Sequence, residues 1–216
     1  MAIIAFSRRC LFIKTRKTAG TSVQESLSPH LVDRDIVTHQ WTDTRSGLRC
    51  AIEEFASLDD IHQHFPETRT GYFTFGFTRN PYAITLSRYF YQIQMKRIVG
   101  PPSPKDFNHW VQNIYCIGEP GFPGGRFLRD RSRCLLFDTS LTPRVDCIGK
   151  VENLSQDFAL VAKRIGLPGI ALAHVNRSNR DVACYRDWMD PVSRKLIENG
   201  FDFELSYFGY RYEDRR

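Results

Sequence analysis

The sequence predicts an α/β fold, a three-layer α/β/α arrangement around a mostly parallel central sheet. Short apolar segments that suit buried strands alternate along the chain with segments of helical periodicity. Two of the predicted strands lead directly into a polar turn and then a helix, as strands of parallel sheets do. The chain has 216 residues, which suffices for one such domain, and we expect residues 1–216 to form a single domain.

The first strand, loop and helix lie near the start of the chain. Residues 10–13 form an apolar run between basic residues, which predicts a strand buried on both faces. The polar loop over residues 14–22 follows it. Ser22 and Glu25 have the spacing of a capping box, which predicts that a helix begins near Ser22. A second strand is predicted over residues 35–38.

The middle of the chain carries the clearest strand. Residues 72–78 alternate phenylalanine with other residues that favour strands. Asn80 suits the N-cap of a helix and Pro81 its first position, so a helix is predicted to run to about Lys96. Ser57 is expected to cap an earlier short helix.

Residues 97–132 differ in composition from the rest. They hold five of the eleven prolines and five of the fourteen glycines, which predicts a loop-rich insertion containing a short helix over 107–114. Beyond it, strands are predicted over 134–137 and 145–148, and helices over 154–165 and 191–199.

The composition limits the possible partners. Thirty Lys and Arg against 24 Asp and Glu give a net charge of +6, which favours a polyanionic partner such as nucleic acid, an anionic membrane surface or a phosphorylated small molecule. No apolar run has the length of a membrane span, and no secretory signal is evident. The six cysteines include no CxxC pair, so we expect a cytoplasmic protein with reduced thiols and no metal site.

The loop over residues 16–22 has the composition of an anion site. It follows a buried strand and opens a helix, where backbone N–H groups and the positive end of the helix dipole converge. Gly20 would let the backbone approach an anion closely, and Lys17 supplies a charge. The lysine precedes the glycine, unlike in a Walker A loop, which disfavours a magnesium-dependent NTPase.

A second basic turn follows the strand over residues 72–78. Arg79 would project from the carboxyl end of this strand, and Ser87 lies two turns into the following helix. Ligands of open α/β sheets bind beyond the carboxyl ends of the strands. We therefore expect the two turns to face one crevice.

Several motifs together resemble the carbohydrate-type sulfotransferases. Residues 12–22 resemble the 5′-phosphosulfate loop of that family, an apolar strand followed by PKTAGTS, with Arg16 in place of the proline. Residues 75–82 and Ser87 resemble its 3′-phosphate motif, although Tyr82–Ile84 departs from the acid and arginine of many relatives. Later blocks fit in family order, at residues 148–154, 174–178 and 208–210.

The resemblance implies a P-loop NTPase-like sulfotransferase fold and a sulfotransferase that uses the donor 3′-phosphoadenosine 5′-phosphosulfate without a metal. Arg79 and Ser87 would bind the 3′-phosphate of this donor, and Lys17 would stabilise the charge on its leaving oxygen. The 5′-phosphosulfate would be held by the loop residues Arg16, Lys17, Thr18, Ala19, Gly20, Thr21 and Ser22.

The general base stays open between two positions. Relatives often place a histidine about two dozen residues before the arginine of the 3′-phosphate motif, but here that distance reaches Glu54. Glu54, or Glu53 beside it, is therefore one candidate. His39 is the other, because it directly follows the second predicted strand.

The acceptor is less defined than the donor. We expect loop 40–56 and insertion 97–132 to wall its site, and their basic and aromatic residues suit a hydroxyl of a carbohydrate or small molecule, with a peptide tyrosine also possible. Neither a nucleic-acid partner nor a membrane span is expected. Two other readings stay open: a P-loop-type small-molecule kinase, and a non-enzymatic nucleic-acid-binding module that uses the positive charge.

Overall fold

The computed structural model describes residues 2–39, 41–116, 132–173 and 184–214. These residues divide into two compact units. The first contains residues 2–78 and 132–173, and the second contains residues 79–116 and 184–214. Our expectation of a single domain stays a prediction.

The first unit contains a six-stranded sheet in the order β4-β3-β1-β2-β5-β6. Its strands are β1 (Ile3–Ala5), β2 (Cys10–Ile13), β3 (Ile36–His39), β4 (Thr42–Asp43), β5 (Phe73–Thr78) and β6 (Cys147–Lys150). The β2–β5 and β5–β6 pairs are parallel, whereas β1–β2, β1–β3 and β3–β4 are antiparallel. The sheet is thus mixed, and the prediction of a mostly parallel sheet was wrong.

The antiparallel half of the sheet depends on a turn that the sequence analysis did not predict. A 3-10 turn over Phe6–Arg8 ends at Arg9, which is left-handed with φ 49°, so that β1 folds back onto β2. The fully buried Asp35 accepts hydrogen bonds from the Ser7 amide at 2.9 Å and the Val32 amide at 2.9 Å. These bonds fix the turn to the start of β3.

The position of β1 between β2 and β3 determines which strand ends share an edge of the sheet. Because β1 runs against both β2 and β3, those two strands point in the same direction. β5 and β6 also run parallel to β2. The carboxyl ends of β2, β3, β5 and β6 therefore lie at one edge of the sheet.

Eight α-helices occur within the described ranges: α1 (Gly20–Leu27), α2 (Leu58–His64), α3 (Pro81–Gln94), α4 (Pro104–Cys116), α5 (Ser132–Leu136), α6 (Leu154–Arg164), α7 (Pro191–Gly200) and α8 (Asp202–Phe208). None of these helices combines the length and apolar composition that crossing a lipid bilayer requires.

Helices cover both faces of the sheet in the first unit. On one face Phe12 stacks on Phe75, with ring centroids 5.2 Å apart, in a core shared with α1 and α6. On the other face Gly76 lies under α5, because a Cβ atom there would be 2.6 Å from Cδ2 of Leu136. This arrangement has the three layers that the sequence predicts.

The second unit is helical, and aromatic rings fill its core. Tyr82, Tyr89 and Phe107 pack with residues of the α7 region in one buried cluster. Its first helix begins as predicted: the Asn80 side chain accepts a hydrogen bond from the Tyr82 amide at 3.0 Å, and Pro81 is the first helical residue. Asn80 and Pro81 are thus sufficient to predict where α3 begins.

Other local predictions have mixed outcomes. The predicted cap at Ser57 is confirmed, and it has the form of a capping box, since Ser57 and Asp60 exchange hydrogen bonds at the start of α2. The prediction of a strand over residues 134–137 was wrong, because α5 occupies most of this segment. An apolar run this short is compatible with the periodicity of a helix as well as that of a strand. Within the insertion, the helix is longer than predicted, and residues 117–131 lie outside the described part of the chain.

Candidate functional site

The loop between β2 and α1 has an unusual backbone. Lys17 and Ala19 both adopt the left-handed conformation, with φ of 62° and 60°. Each such residue costs about 1–2 kcal/mol relative to the right-handed region, so the surrounding structure must hold the loop. Left-handed residues in a turn aim successive amides into one concavity, an arrangement that binds anions.

The start of α1 directly follows this loop. The N-cap residue is Ala19, whose side chain makes no capping hydrogen bond. The helix begins at Gly20, so Ser22 lies in its first turn, and the capping box predicted at Ser22 was wrong. The Ala19 side chain cannot accept hydrogen bonds from the amides of the first turn. These amides therefore suit an anionic ligand.

Two buried threonines hold the loop in place. The Thr15 hydroxyl donates to the backbone carbonyl of Phe77 at 2.5 Å, which fastens the loop to β5. The Thr18 hydroxyl lies 2.7 Å from Thr15 Oγ1 and 2.9 Å from the Thr15 carbonyl oxygen. The side chain of Thr18, predicted to bind the donor, thus belongs to the loop's own hydrogen-bond network.

Gly20 is packed against Lys14. A Cβ atom at position 20 would lie 2.9 Å from Cγ of Lys14 and 3.0 Å from its Cε. From the sequence, we expected Gly20 to let the backbone approach an anion closely. In the structure, the aliphatic part of Lys14 occupies the space that a side chain at Gly20 would need.

The two candidate bases are in direct contact. Nδ1 of His39 lies 2.9 Å from Oε2 of Glu54, and Nζ of Lys14 lies 3.9 Å from the same oxygen. Burial by itself would raise the pKa of Glu54, but the Lys14 charge and the His39 hydrogen bond outweigh it, and the pKa is lowered. The sequence presented His39 and Glu54 as rivals, whereas the structure makes them a pair.

Phe55 joins the loop to this pair. The Arg16 guanidinium lies 4.6 Å from the centroid of the Phe55 ring, and Nζ of Lys14 lies 5.1 Å from it. Both distances are in the range of cation–π attraction. Arg16, which stands where the carbohydrate-type sulfotransferases have proline, therefore holds the loop against the segment that carries Glu54.

The remaining predicted residues lie elsewhere. Glu53 contributes its backbone carbonyl as an acceptor for the Thr38 hydroxyl at 3.2 Å. Thr21 lies in the first turn of α1. Arg79 and Ser87 belong to the second unit: Arg79 follows β5 by one position, and Ser87 is the seventh residue of α3. Their grouping with the loop stays a prediction.

Sequence reasoning missed Lys14 and Phe55. Lys14 directly follows β2, at the carboxyl end of the strand, just as Arg79 directly follows β5. The rule that drew attention to Arg79 could have found it. No sequence signal marks Phe55, whose role depends on tertiary contact.

The arrangement at this edge can bind an anion and accept a proton. Cationic side chains and loop amides are suited to bind the anion, and the His39–Glu54 pair is suited to accept the proton. Among the residues that the structure describes, no group of three or more His, Cys, Asp or Glu is placed to hold a metal ion.

Comparison with known proteins identifies a relative of this chain. No family model matches the sequence. An uncharacterized protein of Archaeoglobus fulgidus is 32% identical over 111 residues, which are 51% of this chain and 82% of the archaeal protein. The chain therefore belongs to the same family as that protein, whose description names no activity.

Among solved structures, the chain is similar to the crystal structure of a sulfotransferase from Alicyclobacillus acidocaldarius. The alignment covers 90% of this chain and 92% of that chain, at 12% sequence identity and a TM-score of 0.47. This similarity is too low to carry a conclusion about function.

Proposed function

We propose that the protein transfers a sulfuryl group from 3′-phosphoadenosine 5′-phosphosulfate to a hydroxyl group of a carbohydrate or small molecule. The observation that carries the proposal is the loop between β2 and α1. Its left-handed residues Lys17 and Ala19 and the start of α1 at Gly20 build an anion-binding turn. The sequence of this turn resembles the 5′-phosphosulfate loop of carbohydrate-type sulfotransferases.

Lys17 is proposed to supply the cation of the transfer step. Negative charge grows on the bridging oxygen of the donor as its bond to sulfur breaks, and a fixed cation there lowers the barrier. The left-handed backbone at Lys17 restricts where its side chain can reach. Its replacement by alanine should therefore lower kcat strongly and leave the KM for the donor nearly unchanged.

The donor's second phosphate is assigned to Arg79 and Ser87. Arginine binds phosphate through paired hydrogen bonds, and Arg79 directly precedes the capped start of α3. Each of the two turns follows a strand of the parallel part of the sheet, β2 or β5. The variant Arg79→Ala should mainly raise the KM for the donor.

The His39–Glu54 pair is proposed to accept the proton of the acceptor hydroxyl. General-base assistance typically contributes about 10²–10⁴ in rate. The pair lies at the carboxyl edge of the sheet, where the anion-binding loop also lies, because Lys14 contacts both Glu54 and Gly20. The base and the donor loop are thus neighbours.

The hairpin formed by β3 and β4 at the edge of the sheet, called the edge hairpin, supports an acceptor site beside this pair. His39 lies directly across from Thr42, and Thr42 lies directly across from Arg49. Residues directly opposite in antiparallel strands present their side chains on one face, with Cα atoms about 4.5–5.5 Å apart. We propose that Arg49 and the half-exposed Trp41 contact the acceptor, within about 10 Å of the base.

The test is transfer of labelled sulfate from the donor to a panel of sugars, phenols and tyrosine peptides. The proposal predicts a labelled product from at least one hydroxyl acceptor, with turnover reduced at least about 100-fold in Lys17→Ala. Arg49→Ala should raise the KM for the acceptor and leave that for the donor unchanged. Magnesium-dependent phosphate transfer from ATP, without sulfate transfer, would instead favour the kinase reading.

A further inference from the structure

Lys14 contacts the donor loop and the proton-accepting pair at the same time. Its aliphatic part crosses Gly20, where a Cβ atom would come within 2.9 Å of Cγ. Its ammonium group lies 3.9 Å from Oε2 of Glu54 and 5.1 Å from the centroid of the Phe55 ring. The side chain is only 13% exposed, so these contacts restrict its position.

The chemistry of the pair distinguishes its two members. A carboxylate only accepts hydrogen bonds, so the 2.9 Å contact requires Nδ1 of His39 to carry the proton. Neutral His39 then has its lone pair on Nε2. The His39 side chain is 48% exposed and that of Glu54 is 18% exposed, so the imidazole is the group that an acceptor can reach.

We propose that Lys14 is a positioning residue, which holds Glu54 as a carboxylate so that Glu54 orients His39 as the base. The proposal rests on the proposed sulfuryl transfer and deepens it, because it assigns separate roles to His39 and Glu54. Lys14 supplies the opposing charge, Glu54 fixes the tautomer and ring orientation, and Nε2 of His39 receives the proton. The Arg16 guanidinium on Phe55 is a further positive charge beside this segment.

The acceptor oxygen forms a bond to sulfur while its hydrogen moves to Nε2 of His39, which becomes imidazolium. The bond from sulfur to the bridging oxygen breaks, and its electron pair stays on the leaving 5′-phosphate oxygen. The products are a sulfate ester and adenosine 3′,5′-bisphosphate, and His39 returns its proton to water.

The first test is spectroscopic and needs no turnover. The chain has six histidines, and long-range ¹H–¹⁵N spectra of the ¹⁵N-histidine-labelled full chain report the tautomer of each, with His39 assigned through His39→Asn. We expect neutral His39 to carry its proton on Nδ1. Glu54→Gln and Lys14→Met should both move it toward the Nε2–H form, whereas Lys14→Arg should retain Nδ1–H.

The control variant is Lys163→Met, which removes an equal charge from an exposed position on α6 in the same unit. It should leave the His39 spectrum unchanged. Lys14→Met keeps an unbranched stem over Gly20, so the fold should be retained, and circular dichroism checks this. An Nε2–H tautomer in the unmodified chain, or an unchanged spectrum in Lys14→Met, overturns the proposal.

The second test is kinetic. Lys14→Met should lower kcat about tenfold with little change in the KM for the donor, and Lys14→Arg should restore most of it. In a Glu54→Gln background, Lys14→Met should cause no further loss, because it acts through Glu54. Additive losses with a raised donor KM would show that Lys14 binds the donor directly, and the proposal would be wrong.

The two tests separate this proposal from the function on which it rests. If no hydroxyl acceptor is sulfated, the proposed function fails, and the spectra still decide whether Lys14 holds the Glu54–His39 pair. If sulfate transfer occurs but the tautomer does not respond to Lys14, only the positioning role fails.

Discussion

Replacing Gly20 by alanine perturbs the contact between the start of α1 and Lys14. The new Cβ atom would lie 2.9 Å from Cγ, 3.1 Å from Cδ and 3.0 Å from Cε of Lys14. Carbon atoms pack at about 3.6 Å, so the Lys14 stem must move by the difference, about 0.7 Å. Gly20 does not have a positive φ, and alanine therefore introduces no backbone strain.

The size of the functional effect follows from the ion pair. Nζ of Lys14 is 3.9 Å from Oε2 of Glu54, and a shift of about 0.7 Å directly away would bring the separation to about 4.6 Å. At an effective dielectric constant of about 20, the attraction weakens by about 0.6 kcal/mol. If this attraction orients the base, kcat falls about threefold.

The assay pairs steady-state sulfate transfer with thermal unfolding. Gly20→Ala should lower kcat about threefold while stability stays equal or rises slightly, since alanine favours helix over glycine by about 1 kcal/mol. The same substitution in a Lys14→Ala background should have no further effect, because the clashing stem is gone. A loss of stability above about 2 kcal/mol, or an unchanged kcat, would refute this reasoning.

Three further predictions concern the scaffold. Thr15→Val removes the hydroxyl that donates to the Phe77 carbonyl and should lower the free energy of unfolding by about 1–2 kcal/mol in urea titrations; a change below about 0.3 kcal/mol would contradict it. Burial raises the pKa of Cys10 to about 12, so a thiol reagent should label exposed Cys134 in the native protein and Cys10 only after unfolding, and equal labelling rates would contradict this. Burial would raise the pKa of Asp43, but hydrogen bonds from the Ser46 hydroxyl and from the amides of Val37, Arg45 and Ser46 lower it. The stabilisation is therefore full above the unfolded-state pKa of about 3.9 and disappears as pH falls through the folded-state value. Asp43→Asn should accordingly destabilise the protein more at pH 7 than at pH 3, and an equal loss at both would show the carboxylate charge to be unimportant.

The sequence predicts the elements whose signals are local. The capping box at Ser57 and the Asn80–Pro81 pair each satisfy or replace helix-end amides within a few residues, and both helices begin where predicted. The alternating phenylalanines of β5 gave the strand over Phe73–Thr78 nearly to the residue. In these cases the local preference and the tertiary fold agree.

The sequence analysis failed where a feature depends on distant contacts or rare backbone angles. Strand β1 needs a left-handed arginine at position 9, an angle for which arginine has no preference, so the antiparallel half of the sheet was missed. The start of α1 was misplaced for the same reason, since Ala19 is left-handed at its N-cap.

The candidate site was predicted in its parts but not in its pairing. Lys17 and Gly20 were singled out because the loop has a recognisable order of residue types. His39 and Glu54 were both found, yet their hydrogen bond spans 15 residues of chain and depends on how the edge hairpin packs. Only the structure shows that the two side chains are in hydrogen-bond contact.

Binding of adenosine 3′,5′-bisphosphate tests the central claim most directly. A ligand at 100 times its dissociation constant stabilises a protein by about 2.7 kcal/mol, which thermal unfolding detects. We expect a clear rise in unfolding temperature with this nucleotide in the absence of magnesium, a reduced rise in Arg79→Ala, and a smaller rise with ADP, which lacks the 3′-phosphate. No rise with millimolar adenosine 3′,5′-bisphosphate, or a rise only with ATP and magnesium, would contradict it.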